Sequence, residues 1–143
     1  MLKKSLNEDS RMYAVYENDK LIGMYHIFIE KDIVYLAYLC IAEEKRGKGY
    51  GTILLNHIRD SLPGYRITVD IEEVKEKGRN FEEESSRKAF YLRNGFEETM
   101  VFYHFFGVDY EVLSNGGKIS KDEWEAVVLK CFLRSRDLKI WEG

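Results

Sequence analysis

The sequence is poor in the residues on which many functions depend. It has one proline, two cysteines and three histidines among 143 residues. Cys40 and Cys131 stand far apart with no C-x-x-C pair, which excludes a disulfide framework and leaves both to be read as structural thiols of the core. His26, His57 and His104 lack metal-ligand spacing, and no Ser/His/Asp or Cys/His pairing is indicated, so no metal is expected. There is no basic excess: 22 Lys and Arg stand against 25 Asp and Glu, a formal charge of −3, which argues against broad binding of nucleic acid or an anionic membrane. No apolar run approaches the roughly 18 residues of a spanning helix, and Met1 to Glu8 holds no signal-peptide core. A soluble, cytoplasmic protein is the expectation. Repeats, low-complexity segments and linkers are also missing. With 45% apolar and 14% aromatic residues, the chain suits one compact domain over residues 1–143.

What is present centres on Leu39 to Leu55. Ile33 to Ala42 carries no charge and reads as a strand buried on both faces. Glu43-Glu44-Lys45 leads into Arg46-Gly47-Lys48-Gly49-Tyr50-Gly51, after which Tyr50, Leu54 and Ile58 recur with helical spacing. A strand, a glycine-rich turn and a helix in that order gather free backbone N–H groups at the positive end of a helix dipole. That is an anion site, and phosphate is the natural anion. The spacing matches neither a P-loop nor Gly-x-Gly-x-x-Gly, because the glycines fall at alternate positions 47, 49 and 51. Taken alone, the hexapeptide also fits a plain glycine turn before an ordinary helix.

Around this centre the order of elements is legible. Residues 1–10 are polar and give no clear element. Arg11 to Glu17 and Lys20 to Glu30 read as a hairpin about Asn18-Asp19, and Lys31-Asp32 turns into the Ile33 strand. Leu62-Pro63-Gly64 stops the helix. Tyr65 to Val74 alternates, with Ile67, Val69 and Ile71 opposite Thr68, Asp70 and Glu72. It follows a strand and a helix, so it should lie parallel to the Ile33 strand. Acids are unusual in a parallel strand covered on both faces. Asn80, with Glu83 at N3, caps a helix to Asn94, and Gly95 ends it. Phe96 to Phe106 and Val108 to Leu113 are strands. Ser120-x-x-Glu123 is a capping box before a core-facing stripe of Trp124, Val127, Val128, Cys131 and Phe132.

Two segments resemble one family. Arg46-x-x-Gly49-x-Gly51 after a buried strand is similar to the acetyl-CoA signature of the GNAT N-acetyltransferases, and Phe90-Tyr91-Leu92-Arg93-Asn94-Gly95-Phe96 is similar to that family's Phe-Tyr-x-x-x-Gly-Phe segment. Together they span roughly Leu39 to Phe96. The resemblance implies an α/β (α+β) acyl-CoA N-acyltransferase fold: a mixed, mostly antiparallel sheet with a central parallel pair of strands that splay apart, helices on both faces, and a reduced N-terminal strand and helices. It implies acetyl transfer from acetyl-CoA to a primary amine by direct attack. It assigns CoA binding to Leu39, Cys40, Ile41, Arg46, Gly47, Lys48, Gly49, Tyr50, Gly51 and Thr52, the first three as main-chain donors to the thioester carbonyl. Tyr91 matches the general-acid position. Glu84 stands where the family often carries an Asn that contacts the CoA arm.

The reaction's demands agree with the residues. An amine of pKa ~10.4 must lose a proton and the departing thiolate must be stabilised. Glu72 is the first candidate base and Asp70 the second; either acid also reads as a solvated strand-end charge or an ion-pair partner of Arg66 or Arg46, and by the resemblance a water relay can stand in place of a single base. Tyr91 otherwise reads as a core aromatic. The acceptor, a small molecule or peptide amine, is not legible. The other class of function is a non-catalytic acyl-CoA-binding or regulatory module. Ten residues before the hairpin cannot hold a strand and a helix, so the Arg11 strand is expected to be an open edge, with a homodimer or an open acceptor site as the consequence.

Overall fold

The computed structural model describes residues 2–5, 9–131 and 139–142, the first and last of these for their backbone alone. The chain divides into two compact units, Met1–Ile67 and Thr68–Gly143.

The first unit is an antiparallel meander of β1 (Leu2–Ser5), β2 (Ser10–Glu17), β3 (Lys20–Glu30) and β4 (Ile33–Ile41), followed by a 3₁₀ turn at Glu43–Lys45 and α1 (Tyr50–Ser61). The β2–β3 turn works because Asn18 and Asp19 accept φ of 50° and 66°, the left-handed pair that matches strand twist. Cross-strand partners run from Ser10↔Phe28 to Glu17↔Lys20, with one irregularity at Val15/Tyr16. β3 and β4 pair from Gly23↔Ile41 to Glu30↔Ile33, shifting at His26/Ile27. A Cβ at Gly23 would collide with the Cys40 carbonyl and press on Leu54, so glycine here lets the strand and α1 approach. α1 buries Leu54, Leu55 and Ile58, each a gain of about 1.5–3 kcal/mol.

Two expectations for this unit are corrected. β2 is not an open edge, because β1 pairs with it from Leu2↔Val15 to Ser5↔Met12. Polar side chains concealed this strand, since edge pairing is made by backbone groups that any residue carries. β4 is not buried throughout: Ile33 to Leu36 are buried, whereas Ala37 to Ile41 are half-buried or exposed and Tyr38 keeps 51% of its surface. Absence of charge marks a strand that excludes ions, and it does not distinguish a covered strand from one that lines a groove. Cys40 is accordingly half-buried, as is Cys131, and both thiols are free.

β5 (Arg66–Glu72) straddles the boundary. The second unit then continues with α2 (Phe81–Arg93), β6 (Glu97–Phe105), β7 (Val108–Asn115), α3 (Lys121–Cys131) and β8 (Lys139–Glu142). Its strands lie in the order β5-β7-β6-β8. β6 and β7 form a hairpin about Phe106 and Gly107, both with positive φ. β8, which the sequence reading did not anticipate, pairs with β6 from Val101↔Glu142 to His104↔Lys139. The capping box of α3 forms as expected: Glu123 N–H donates to Ser120 Oγ at 3.2 Å and Ser120 N–H to Glu123 Oε1 at 3.1 Å. Trp124, Val127 and Val128 are buried; Phe132 lies outside the described residues. The expected Asn80 cap is corrected, since its side chain makes no cap hydrogen bond. Glu82, Glu83 and Glu84 still place negative charge at the positive end of α2.

Candidate functional site

In the first unit the sequence-predicted binding residues converge on one turn. The Ala42 N–H donates to Ile22 O at 2.7 Å and Arg46 Nε to Ile41 O at 3.0 Å, so the arginine expected to meet phosphate is tied to the strand that precedes the loop. Gly47 and Gly49 hold φ of 73° and 83°, a conformation that costs an L-residue about 1–2 kcal/mol. Gly49 is the N-cap of α1, and no side chain caps that end. The first N–H groups of the helix are therefore offered forward. A Cβ at Gly47 or Gly49 would meet nothing within 4 Å, so the space before them is open. Gly51, the third glycine of the turn sequence, lies inside α1 and does not share that conformation.

The turn is braced. Tyr50 donates to Glu17 Oε1 at 3.1 Å, which with partial burial and the charge of Glu17 raises the phenol's pKa. Lys45 Nζ lies 5.6 Å over the Tyr50 ring, a cation–π distance. Lys48 is exposed beside Gly47 and Gly49, and Thr52 is half-buried in the first turn of α1. In β4, Leu39, Cys40 and Ile41 pair with Tyr25, Met24 and Gly23. Antiparallel pairing turns alternate N–H groups to the strand's other edge, where they can serve as donors. The Cys40 thiol donates to Ile41 O at 3.7 Å, and its proximity first of all raises the pKa of the Tyr38 phenol.

In the second unit β5 holds Asp70 and Glu72 half-buried on the face opposite Ile67, Val69 and Ile71. Asp70 accepts a short hydrogen bond from the Tyr103 hydroxyl. Tyr103 stacks on Tyr110 with centroids 4.9 Å apart and leans on Trp124 at 5.7 Å. Burial, then the charges of Asp70 and Glu72, raise the Tyr110 pKa. Tyr91 sits edge-on to Phe90 and Phe96, 5.2 and 5.3 Å between centroids, and its phenol is pushed up to about 12 by burial first and Asp70 second, with Arg87 partly offsetting them. The structure thus brings Asp70 and Tyr91 into one electrostatic neighbourhood and adds Tyr103 and Tyr110. The sequence gives the Phe96–Phe106 segment only as a strand, and nothing in its pattern marks Tyr103 as a partner of Asp70. Of the two arginines considered as partners of the β5 acids, Arg66 binds both Asp32 oxygens at 2.8 and 2.9 Å and Arg46 Nε donates to Ile41 O. Glu84 keeps one buried oxygen, Oε1, with no partner among the described residues. No cluster of metal-binding side chains occurs among the described residues, and no helix is long and apolar enough to cross a membrane.

Comparisons with known proteins bear on this geometry. The fold is similar to that of the ribosomal-protein-S18-alanine N-acetyltransferase of Escherichia coli (15% identity, 80% of this chain and 74% of that one, TM-score 0.62). It is also similar to a GNAT family acetyltransferase of Elizabethkingia anophelis solved with acetyl-CoA bound (15%, 75% and 76%, 0.59) and to a Bacillus subtilis acetyltransferase in complex with CoA (17%, 76% and 77%, 0.56). No curated protein matches the sequence. The acetyltransferase (GNAT) domain family matches residues 8–98, which include the glycine turn, Asp70, Glu72 and Tyr91; the chain belongs to that family and has its α+β fold.

Proposed function

We propose that the protein is an N-acetyltransferase that moves the acetyl group of acetyl-CoA to a primary amine. The observation that carries this reading is the uncapped N-terminus of α1 behind two left-handed glycines with open space before them, a donor set that fits a pyrophosphate. Lys48 and the free guanidinium nitrogens of Arg46 supply positive charge, and Tyr50 and Thr52 complete the turn. The Leu39, Cys40 and Ile41 main chain is the donor edge for the thioester carbonyl.

The amine nitrogen attacks the carbonyl carbon, the C–S bond breaks, and the electron pair leaves on sulfur. Glu72 is the favoured base for the proton that the amine gives up, directly or through water. Asp70 is second, because the Tyr103 hydrogen bond occupies one of its oxygens. Tyr91 stays protonated across the physiological range and is the donor to the departing thiolate.

The test is binding followed by turnover. CoA at about 100 times its dissociation constant should add roughly 2.7 kcal/mol to stability. Gly49→Val should abolish that shift while the domain stays folded, since a Cβ there meets nothing within 4 Å and the strain falls on the backbone. No thermal shift at millimolar CoA would refute the reading. CoA binding with no thiol release across a broad amine panel would favour the other class, a non-catalytic acyl-CoA-binding module.

A further inference from the structure

We infer that a cavity beneath the last turn of α1 binds a short aliphatic monocarboxylate, a ligand separate from the acetyl-CoA and the amine of the transferase reading. The cavity holds about 100 Å³ and is lined by Arg11 and Tyr13 of β2, Tyr25 and Ile27 of β3, and Ile58 and Ser61 of α1, with Leu62 closing the helix end. All of these belong to the first unit. Strand register explains why they meet: Arg11 pairs with Ile27 and Tyr13 with Tyr25, and directly paired residues share one face of a sheet, here the face that Ile58 covers. Ile27, Ile58 and Tyr25 are 2%, 1% and 3% exposed and form the floor, whereas Ser61 is exposed and marks the mouth.

The lining combines two chemistries. Arg11 brings a guanidinium with five N–H donors and Tyr13 and Tyr25 bring phenols, while Ile27, Ile58 and Leu62 bring hydrocarbon. No carboxylate lines the cavity, and the acids adjoining it in sequence, Asp9 and Asp60, are exposed. A cation would find no counter-charge inside. Tyr25 is the sharpest indication of a ligand: the residue is buried against the cavity, yet no hydrogen bond to its hydroxyl occurs among the described residues, and a buried hydroxyl left without a partner is costly. Its ring stacks on Tyr13 with centroids 4.9 Å apart, which sets the two phenols side by side. Burial and then Tyr13 raise the Tyr25 pKa, so at neutral pH this phenol keeps its proton and can donate. The negative end of the α1 dipole would oppose an anion, but its carbonyls are engaged: Ser61 Oγ donates to His57 O at 2.7 Å, Leu62 N–H to Arg59 O at 3.2 Å and Tyr65 N–H to Leu62 O at 3.3 Å. A cationic donor, two phenols and an apolar wall, in about three waters' share of liquid volume, suit a carboxylate head on a short hydrocarbon tail. An inorganic oxyanion would press oxygens against Ile27 and Ile58, and a neutral alcohol would gain nothing from the charge of the guanidinium.

The experiment titrates the full chain, labelled in its Ile and Leu methyl groups, with sodium propionate at fixed ionic strength, and in parallel with sodium phosphate and n-propanol. Propionate should move the NMR methyl signals of Ile27, Ile58 and Leu62 saturably, and the other two solutes should not. Tyr25→Phe and Arg11→Gln should each weaken propionate binding by about tenfold or more. A retained amide spectrum shows that a variant is folded, and Tyr25→Phe, which removes one oxygen, keeps the test open if Arg11→Gln does not fold. Signals that propionate leaves unmoved would show that the cavity holds water alone and would overturn the site. An equal response to phosphate or to propanol would overturn the ligand class, and undiminished propionate binding in either folded variant would overturn the donor set. None of these readouts involves CoA or turnover, so the transferase reading stands or falls separately.

Discussion

Tyr91→Phe is the most informative single change. A phenol at about 12 faces a thiol whose ordinary value is about 8.5, so complete proton transfer would be uphill by several kcal/mol. Tyr91 is thus better suited to donate a strengthening hydrogen bond to the sulfur as charge develops than to surrender its proton early. Loss of one such donor costs about 10²-fold in turnover. We expect kcat to fall by that amount in Tyr91→Phe, with the CoA thermal shift unchanged. The same raised pKa predicts the pH profile: activity carried by protonated Tyr91 should show no descending limb below about pH 10. Asp70→Asn removes the charge that contributes to the shift and should draw that limb towards neutrality. Steady-state thiol release across pH, in parallel for the three proteins, decides the matter. Turnover of Tyr91→Phe equal to that of the unaltered protein would return the residue to the aromatic packing with Phe90 and Phe96. A limb near pH 9 that disappears in Tyr91→Phe would refute the raised pKa.

Lys88→Met tests a buried charge cluster. Lys88 Nζ lies 2.9 Å from Glu111 Oε1 and 3.5 Å from Glu98 Oε2, Glu111 is 3% exposed, and its Oε2 has no partner among the described residues. Removing the cation should cost about 3–5 kcal/mol in chemical denaturation, and a loss below about 1 kcal/mol would show that water already reaches Glu111. Burial first, then Tyr13, pushes the Tyr25 phenol up to about 12. The folded state holds this proton more tightly than the unfolded chain, so the contribution is full below about pH 10 and is lost as pH rises to about 12. Ultraviolet titration of Tyr25 near its ordinary value in the folded protein would contradict this. Because β1 pairs with β2, self-association through that edge would have to displace β1. Light scattering should therefore give a constant mass across concentration, and a rise towards twice the monomer mass would require another contact surface.

The sequence by itself determined what depends on neighbours within a few residues. β3 occupies Lys20–Glu30 because Asn18 and Asp19 accept left-handed φ and apolar residues follow; α1 starts at Tyr50 because glycines precede a helical stripe; the Ser120–Glu123 box opens α3. The glycine turn was legible for the same reason, since its chemistry is made by consecutive backbone groups. The tertiary structure alone decided what is made by residues distant along the chain. Asp70 meets Tyr103 across 33 positions and Lys88 meets Glu111 across 23, and nothing in either local pattern encodes the partner. Backbone pairing decided that β1 covers β2 and that β8 joins β6, because ladder hydrogen bonds use groups common to every residue. Burial of β4 followed the same logic. Its uncharged residues told that ions are excluded, and only packing decided that Ile33 to Leu36 are enclosed while Tyr38 to Ile41 remain within reach of a ligand.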